Sequence, residues 1–166
     1  MKIMWAPWRI KYILSAVKKT NECIFCKIIS YDREKDKENL ILHRGDTAFI
    51  VLNKYPYNNG HLLIVPYSHV PSLEYLSDEE VLEMMKLVKY SILALRKAMN
   101  PDGFNVGINI GRVAGAGVED HVHIHIVPRW NGDTNFMPVL AETKVISESL
   151  QDSYERISKA LREILG

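Results

Sequence analysis

The chain has 166 residues, 47% of them hydrophobic, and sets 21 Lys and Arg against 20 Asp and Glu for a formal net charge of +1. That is apolar material for one real core, while the charge balance argues against a polyanion binder working through bulk electrostatics; a small anionic ligand needs only local donors. No apolar run nears the roughly 18 to 20 residues needed to span a membrane, and two cysteines close together give no disulfide framework, so the expected location is cytoplasmic, with neither nucleic acid nor membrane as partner.

Residues 1–20 read as an N-terminal arm carrying Trp5 and Trp8, a packing flap over the domain or a partner subunit; Lys2, Arg9 and Lys11 break any signal-like apolar run. Cys23-Ile24-Phe25-Cys26 follows, and polar Ser30 to Asn39 reads as a loop. Thr47 to Leu52 is a predicted strand, ended by Asn53 and the turn-rich Tyr55-Pro56-Tyr57-Asn58-Asn59-Gly60. Asn58-Asn59-Gly60 tolerates the positive φ of a tight connection. His61 to Val65 is the returning strand, stopped by Pro66, and the two make an antiparallel pair.

Ser77-Asp78-Glu79-Glu80 is a capping box opening a helix. Its apolar stripe is Val81, Met84, Met85, Val88, Ile92, Leu95 and Met99, in which the methionines are core filler, and Asn100-Pro101-Asp102-Gly103 ends it. Phe104 to Ile110 is a third strand and His121 to Val127 a fourth, joined by a glycine-rich loop; a C-terminal helix follows with Leu150, Tyr154, Ile157, Leu161 and Ile164 on one face. Helices grouped beside a mostly antiparallel sheet make the class α+β. One domain spans 1–166, with an arm (1–20), a core (21–130) and a C-terminal extension with a helix (131–166). Gly111, Gly115 and Gly117 lack the directly following helix of a dinucleotide fingerprint.

Half of the six histidines fall in His121-Val122-His123-Ile124-His125-Ile126-Val127-Pro128-Arg129. On a strand the three imidazoles line one face, with Val122, Ile124 and Ile126 turned to the core. A half-buried strand with an incidental polar face would have to satisfy three ring systems for no purpose, so the row is read as a metal site or as a nucleophile with its helpers. Cys23-x-x-Cys26 can place two thiolates on one zinc ion, with His43, His61, His69 and the histidine row as candidates to complete a closed, structural site. Its rivals are a redox pair, which lacks the preceding strand, and two unligated core cysteines. The loop from Asn109 to Gly117 can turn backbone N–H groups inward as an anion nest, with Gly115 and Gly117 as its phosphate-binding positions. Neutral imidazole is a competent nucleophile toward phosphorus, and flanking donors spread the charge that develops.

These motifs together resemble the histidine triad (HIT) superfamily of nucleotide hydrolases and transferases. The resemblance covers roughly residues 20 to 130. It rests on His121-x-His123-x-His125 with Pro128-Arg129, Cys23-Ile-Phe-Cys26-Lys-Ile-Ile, Gly60-His61-x-Leu-x-x-Pro66, His69, the helix from Ser77 and Asn109-x-Gly111. Trp5-Ala6-Pro7-Trp8-Arg9, Val127-Pro128-Arg129-Trp130 and Pro138 to Val145 are similar to the bacterial diadenosine tetraphosphate phosphorylase branch. The resemblance implies a five-stranded, mostly antiparallel sheet with a long helix, dimerising into a continuous sheet. It implies that His123 is the nucleophile on an α-phosphate, forming a nucleotidyl-histidine released to water or inorganic phosphate. His61 and His125 would hold phosphate oxygens or order the site, and Asn53 and Asn109 would contact ribose or phosphates. One zinc ion per chain would sit on Cys23, Cys26, His69 and His121.

The expected function is therefore cleavage of dinucleoside polyphosphates or related purine nucleotides, with phosphorolysis favoured. The alternatives are a nucleoside phosphoramidate hydrolase, a nucleotide-binding module without turnover, and a catalytic zinc enzyme using all three row histidines. One departure from the family bears on the acceptor. Ala116-Gly117-Val118-Glu119 stands where many members carry a hydroxyl or glutamine before the triad.

Overall fold

The computed structural model describes residues 22–134 and 145–166, so Trp5, Trp8 and the stretch 135–144 lie outside the described residues. The elements are α1 (Ile24–Ile29), β1 (Ile41–Arg44), β2 (Ala48–Leu52), β3 (Leu62–Pro66), α2 (Asp78–Met99), β4 (Gly103–Ile108), β5 (Ile124–Arg129) and α3 (Leu150–Leu165). Five strands form one sheet in the order β1-β2-β3-β5-β4, every neighbouring pair antiparallel.

β2 and β3 pair without a slip from Ala48↔Pro66 to Leu52↔Leu62, and all ten of their residues are buried. Such continuous apolar strands belong at the centre of a covered sheet, not at an edge. The turn between them needs Gly60, whose φ is +70° and whose absent Cβ would lie 2.6 Å from the Met99 sulfur. α2 and α3 pack against each other and against this sheet. The core draws on Phe49, Ile50, Leu62 and Ile64 from the sheet, Met84, Val88 and Leu95 from α2, and Ile157 and Leu161 from α3.

α2 opens on the expected capping box. The Ser77 hydroxyl accepts from the Glu80 N–H at 3.3 Å, and the Glu80 carboxylate accepts from the Ser77 N–H at 2.8 Å. The helix ends at Asn100, which takes the left-handed conformation. The stripe differs from the sequence reading at Met85, which is 52% exposed, while Leu87, Ser91 and Ala94 are buried instead. The sheet therefore covers a face rotated toward Leu87, and Met85 faces away from it.

Strand boundaries also move: β2 and β3 begin one residue later than predicted, at Ala48 and Leu62, and Pro66 ends β3 from within the strand. β5 begins at Ile124, three residues after the predicted start, and continues through Pro128 to Arg129. Pro128 does not stop the strand, because its missing N–H costs no ladder bond where its own pairing, with Phe104, does not require one. The third strand spans Gly103–Ile108, leaving Asn109 and Ile110 in the loop. Two elements went unread from the residues: α1, which Cys23 caps, and β1, a short edge strand whose pairing to β2 shifts between Ile41 and His43.

Candidate functional site

His121, at a bend, and His123 sit in the approach to β5, and His125 lies within the strand. Antiparallel pairing sets Leu63 and Gly107 on either side of His125. The stretch is held in line because the Val122 N–H donates to the Val70 carbonyl at 2.7 Å. Val122, Ile124 and Ile126 are buried as expected, and so are His121 and His123.

Hydrogen bonds assign the tautomers. His123 Nδ1 lies 2.9 Å from the His121 carbonyl oxygen. A carbonyl only accepts, so Nδ1 carries the hydrogen and Nε2 keeps its lone pair. His61 Nδ1 accepts the Tyr57 backbone N–H at 3.1 Å, which puts its ring hydrogen on Nε2. That Nε2–H donates to His125 Nδ1 at 3.0 Å, leaving His125 with an outward N–H on Nε2. Burial first, and the neighbouring imidazoles second, push His61 down to about 3 and His125 to about 4. Both rings are therefore neutral near pH 7. Burial also lowers His123. With ring centroids of His123 and His125 4.8 Å apart, a bare nitrogen and an N–H donor stand side by side, the pairing that attack on a charged phosphorus requires.

Next to this pair is a second cluster. Cys23 Sγ lies 3.3 Å from His121 Nδ1, Cys26 Sγ 3.6 Å from it, His69 Nδ1 3.2 Å from it, and Cys26 Sγ 3.4 Å from His69 Nδ1. The four donor atoms all lie within 4.8 Å of one another. A tetrahedral ion with bonds of about 2.0–2.3 Å separates its ligands by roughly 3.3–3.8 Å, so this set fits one metal ion. His121 Nε2–H donates to the Pro66 carbonyl at 2.8 Å, which turns the Nδ1 lone pair toward the cluster and gives the ligand its outer-shell partner. Burial and Cys23 raise the Cys26 thiol, a cost that a bound cation would reverse. Both cysteines are free. The predicted ligands converge, and the three-histidine catalytic metal site does not form. His121 points to the cysteines, His123 to a backbone carbonyl, and His125 to His61.

The remaining predicted residues divide. Asn53 Nδ2 lies 3.3 Å from His61 Nδ1 and its Oδ1 accepts from the Tyr55 N–H, so it braces the base of the relay. Asn109 follows β4 next to the approach of β5, and its amide donates weakly to the Gly115 carbonyl at 3.4 Å. The glycine-rich loop contains one turn of 3-10 helix, Arg112–Ala114, between Gly111 and Gly115, both at positive φ. The Gly115 N–H is used inside that turn, donating to the Arg112 carbonyl at 2.9 Å. Gly115 thus closes the turn that shapes the loop. Gly117 stands beyond the turn.

Two aromatic side chains flank the row and were read from sequence only as parts of a motif and a turn. Phe25 packs 5.4 Å from His121 and 5.0 Å from His123 by ring centroids, and Tyr57 lies over His61 and His125. Only their closeness in sequence to Cys26 and His61 could have pointed to them. A separate cleft of about 640 Å³ opens beyond β5 between Asn59, Trp130, Glu148 and Arg156. Its Arg156 and Glu148 are already paired, 2.5 Å apart.

Residues 34–132 match the HIT domain family. The chain is 38% identical over 154 residues to the AP-4-A phosphorylase of Mycobacterium tuberculosis, covering 90% of this chain and 79% of the relative. Its fold is similar to a Zn-bound histidine triad family protein from Mycobacterium smegmatis, with TM-score 0.69, 26% identity, and coverage of 87% and 96% of the two chains. A hypothetical histidine triad nucleotide-binding protein from Sulfolobus tokodaii gives TM-score 0.65 and 31% identity, with coverage of 85% and 90%.

Proposed function

This chain belongs to the HIT domain family, and from that premise we propose that it cleaves dinucleoside polyphosphates such as diadenosine tetraphosphate at an α-phosphate. The observation that carries the reading is the opposite protonation of neighbouring histidines, bare Nε2 on His123 and N–H on His125. His123 Nε2 attacks the α-phosphorus, a P–N bond forms, and the P–O bond to the departing polyphosphate breaks with its electron pair on oxygen. His125 donates to a phosphate oxygen, Gly117 and Asn109 are the loop's contributions, and Asn53 and His61 keep His125 in register. In the second step an oxygen of inorganic phosphate attacks the same phosphorus and the P–N bond returns its pair to His123. From diadenosine tetraphosphate the products are ATP and then ADP; with water as acceptor the second product is AMP. Phosphorolysis is favoured on the similarity to the M. tuberculosis phosphorylase.

Zinc is the ion that suits two cysteines and two histidines in a closed set, and when bound it supplies a cross-link rather than a reaction centre. Cys23, Cys26, His69 and His121 would hold it, tying α1 and the His69 loop to the residue whose carbonyl fixes His123. A homodimer completes the reading. β4 is the edge strand beside β5, and Leu82, Met85 and Leu93 are exposed on α2, whose Arg96 lies 5.2 Å over the Phe104 ring of β4. Mass spectrometry of the products from diadenosine tetraphosphate, with saturating phosphate, tests the reaction. ADP with ATP is expected; AMP as the dominant partner of ATP would make the enzyme a hydrolase.

A further inference from the structure

Of the two aromatic rings against the histidine row, Phe25 is 5% exposed and Tyr57 is 57% exposed. Phe25 is therefore already a core side chain. Tyr57 stacks on His125 with ring centroids 5.9 Å apart and planes 17° apart, and tilts over His61 at 4.8 Å. A ring so nearly parallel to His125 turns its other face outward. Its backbone N–H, not its ring, sets the His61 tautomer, so the relay does not explain why the side chain is a large aromatic left half in water. Exposed aromatic faces of this kind are where nucleic-acid bases stack, with little regard to base identity.

We propose that Tyr57 is the stacking subsite for the base of the departing nucleotide, an inference that rests on the dinucleoside polyphosphate reading above. The position separates departing from retained. Next to His123, the buried Phe25 ring forms an enclosed wall suited to the group that stays bonded to phosphorus. Tyr57 lies beyond His125, one imidazole further from the nucleophile, and opens to solvent as a leaving group requires. The phosphate chain then passes the His125 Nε2–H on its way from the α-phosphorus to the second base. This subsite also answers the missing hydroxyl or glutamine before the triad. The leaving side is gripped at its base rather than at its bridging oxygen.

The test compares diadenosine tetraphosphate with adenosine tetraphosphate, which has the same phosphate chain and no second base. Tyr57→Ala should raise KM for the dinucleotide about tenfold relative to KM for the one-base substrate, in the range expected for one base–aromatic stack. Tyr57→Phe and Tyr57→Trp, which keep a π face, should restore the ratio to within about twofold, and Tyr57→Leu should not. If Tyr57→Ala does not fold, the Leu and Trp variants decide the matter by the same ratio. Equal changes on both substrates, or a Leu variant that keeps the wild-type ratio, would overturn the subsite. Failure of the wild-type enzyme to cleave either substrate would instead overturn the proposed reaction.

Discussion

A neutral imidazole has one lone pair and one N–H, and at this site the backbone decides which nitrogen has which. The His121 carbonyl takes the His123 Nδ1–H, and the Tyr57 N–H takes the His61 Nδ1 lone pair. We expect His123→Ala to lower turnover by at least about a thousandfold while nucleotide binding persists, because a nucleophile contributes chiefly to the transition state. Activity above a tenth of wild type would remove His123 from that role. Protonation offers a second check. With folded values of about 3 and 4 for His61 and His125 against an ordinary 6.5, the unfolded chain takes up protons first as pH falls below 6.5. Their contribution thus destabilises the folded state progressively from about pH 6.5 down to about 4 for His125 and about 3 for His61, and is absent above about pH 6.5. In the folded protein their ring resonances should show neutral imidazole at pH 5 by NMR, and titration near 6.5 would refute the buried relay. The histidine spacing is legible in the sequence. The tautomers are not, since they depend on a carbonyl and an N–H whose positions only the fold fixes.

Elements place these residues by methods of unequal legibility. α2 is read almost to the residue because its signals are local: Ser77, Glu80 and the apolar spacing at one end, Asn100 at the other. The capping glutamate has a second task that no local pattern gives away, since it also accepts from Ser68, the neighbour of His69. α1 is hidden because six residues give too little periodicity, and its first turn has no acidic residue and no side-chain cap. β1 is four residues with an irregular register. The metal cluster would compensate for the weakness of α1 by pinning both ends of its first turn through Cys23 and Cys26. We therefore expect one zinc per chain by elemental mass spectrometry, and its loss in Cys26→Ser. Thermal unfolding should then fall by about 10 °C or more, because structural zinc supplies several kcal/mol and each is worth roughly 2–4 °C in a chain of this size. Stoichiometry near zero in the wild type, or an unchanged midpoint in the variant, would show that α1 stands without a metal.

At the scale of the whole molecule the two edges of the sheet are not alike. β1 is covered, its Ile41 carbonyl accepting from the buried Tyr154 hydroxyl of α3 at 2.9 Å. β4 has Asn105, Val106 and Gly107 exposed, with β5 as its partner on one side only among the described residues. An uncovered edge with an apolar residue at its centre invites another strand. The neighbouring surface has the same character, for Leu82, Met85 and Leu93 share one exposed stripe of α2, interrupted by Lys89. A two-fold pairing of β4 with its copy would bury both features, join the two sheets, and explain why Met85 is apolar while facing away from its own core. Charge placed at that edge should oppose self-pairing, because two like charges would meet across the axis. We expect the wild type to sediment as a dimer at micromolar concentration, and Val106→Glu combined with Met85→Glu to sediment as a monomer with its helical content retained. A monomeric wild type would leave the edge of β4 free, and a double variant that still dimerises would place the interface elsewhere on the molecule.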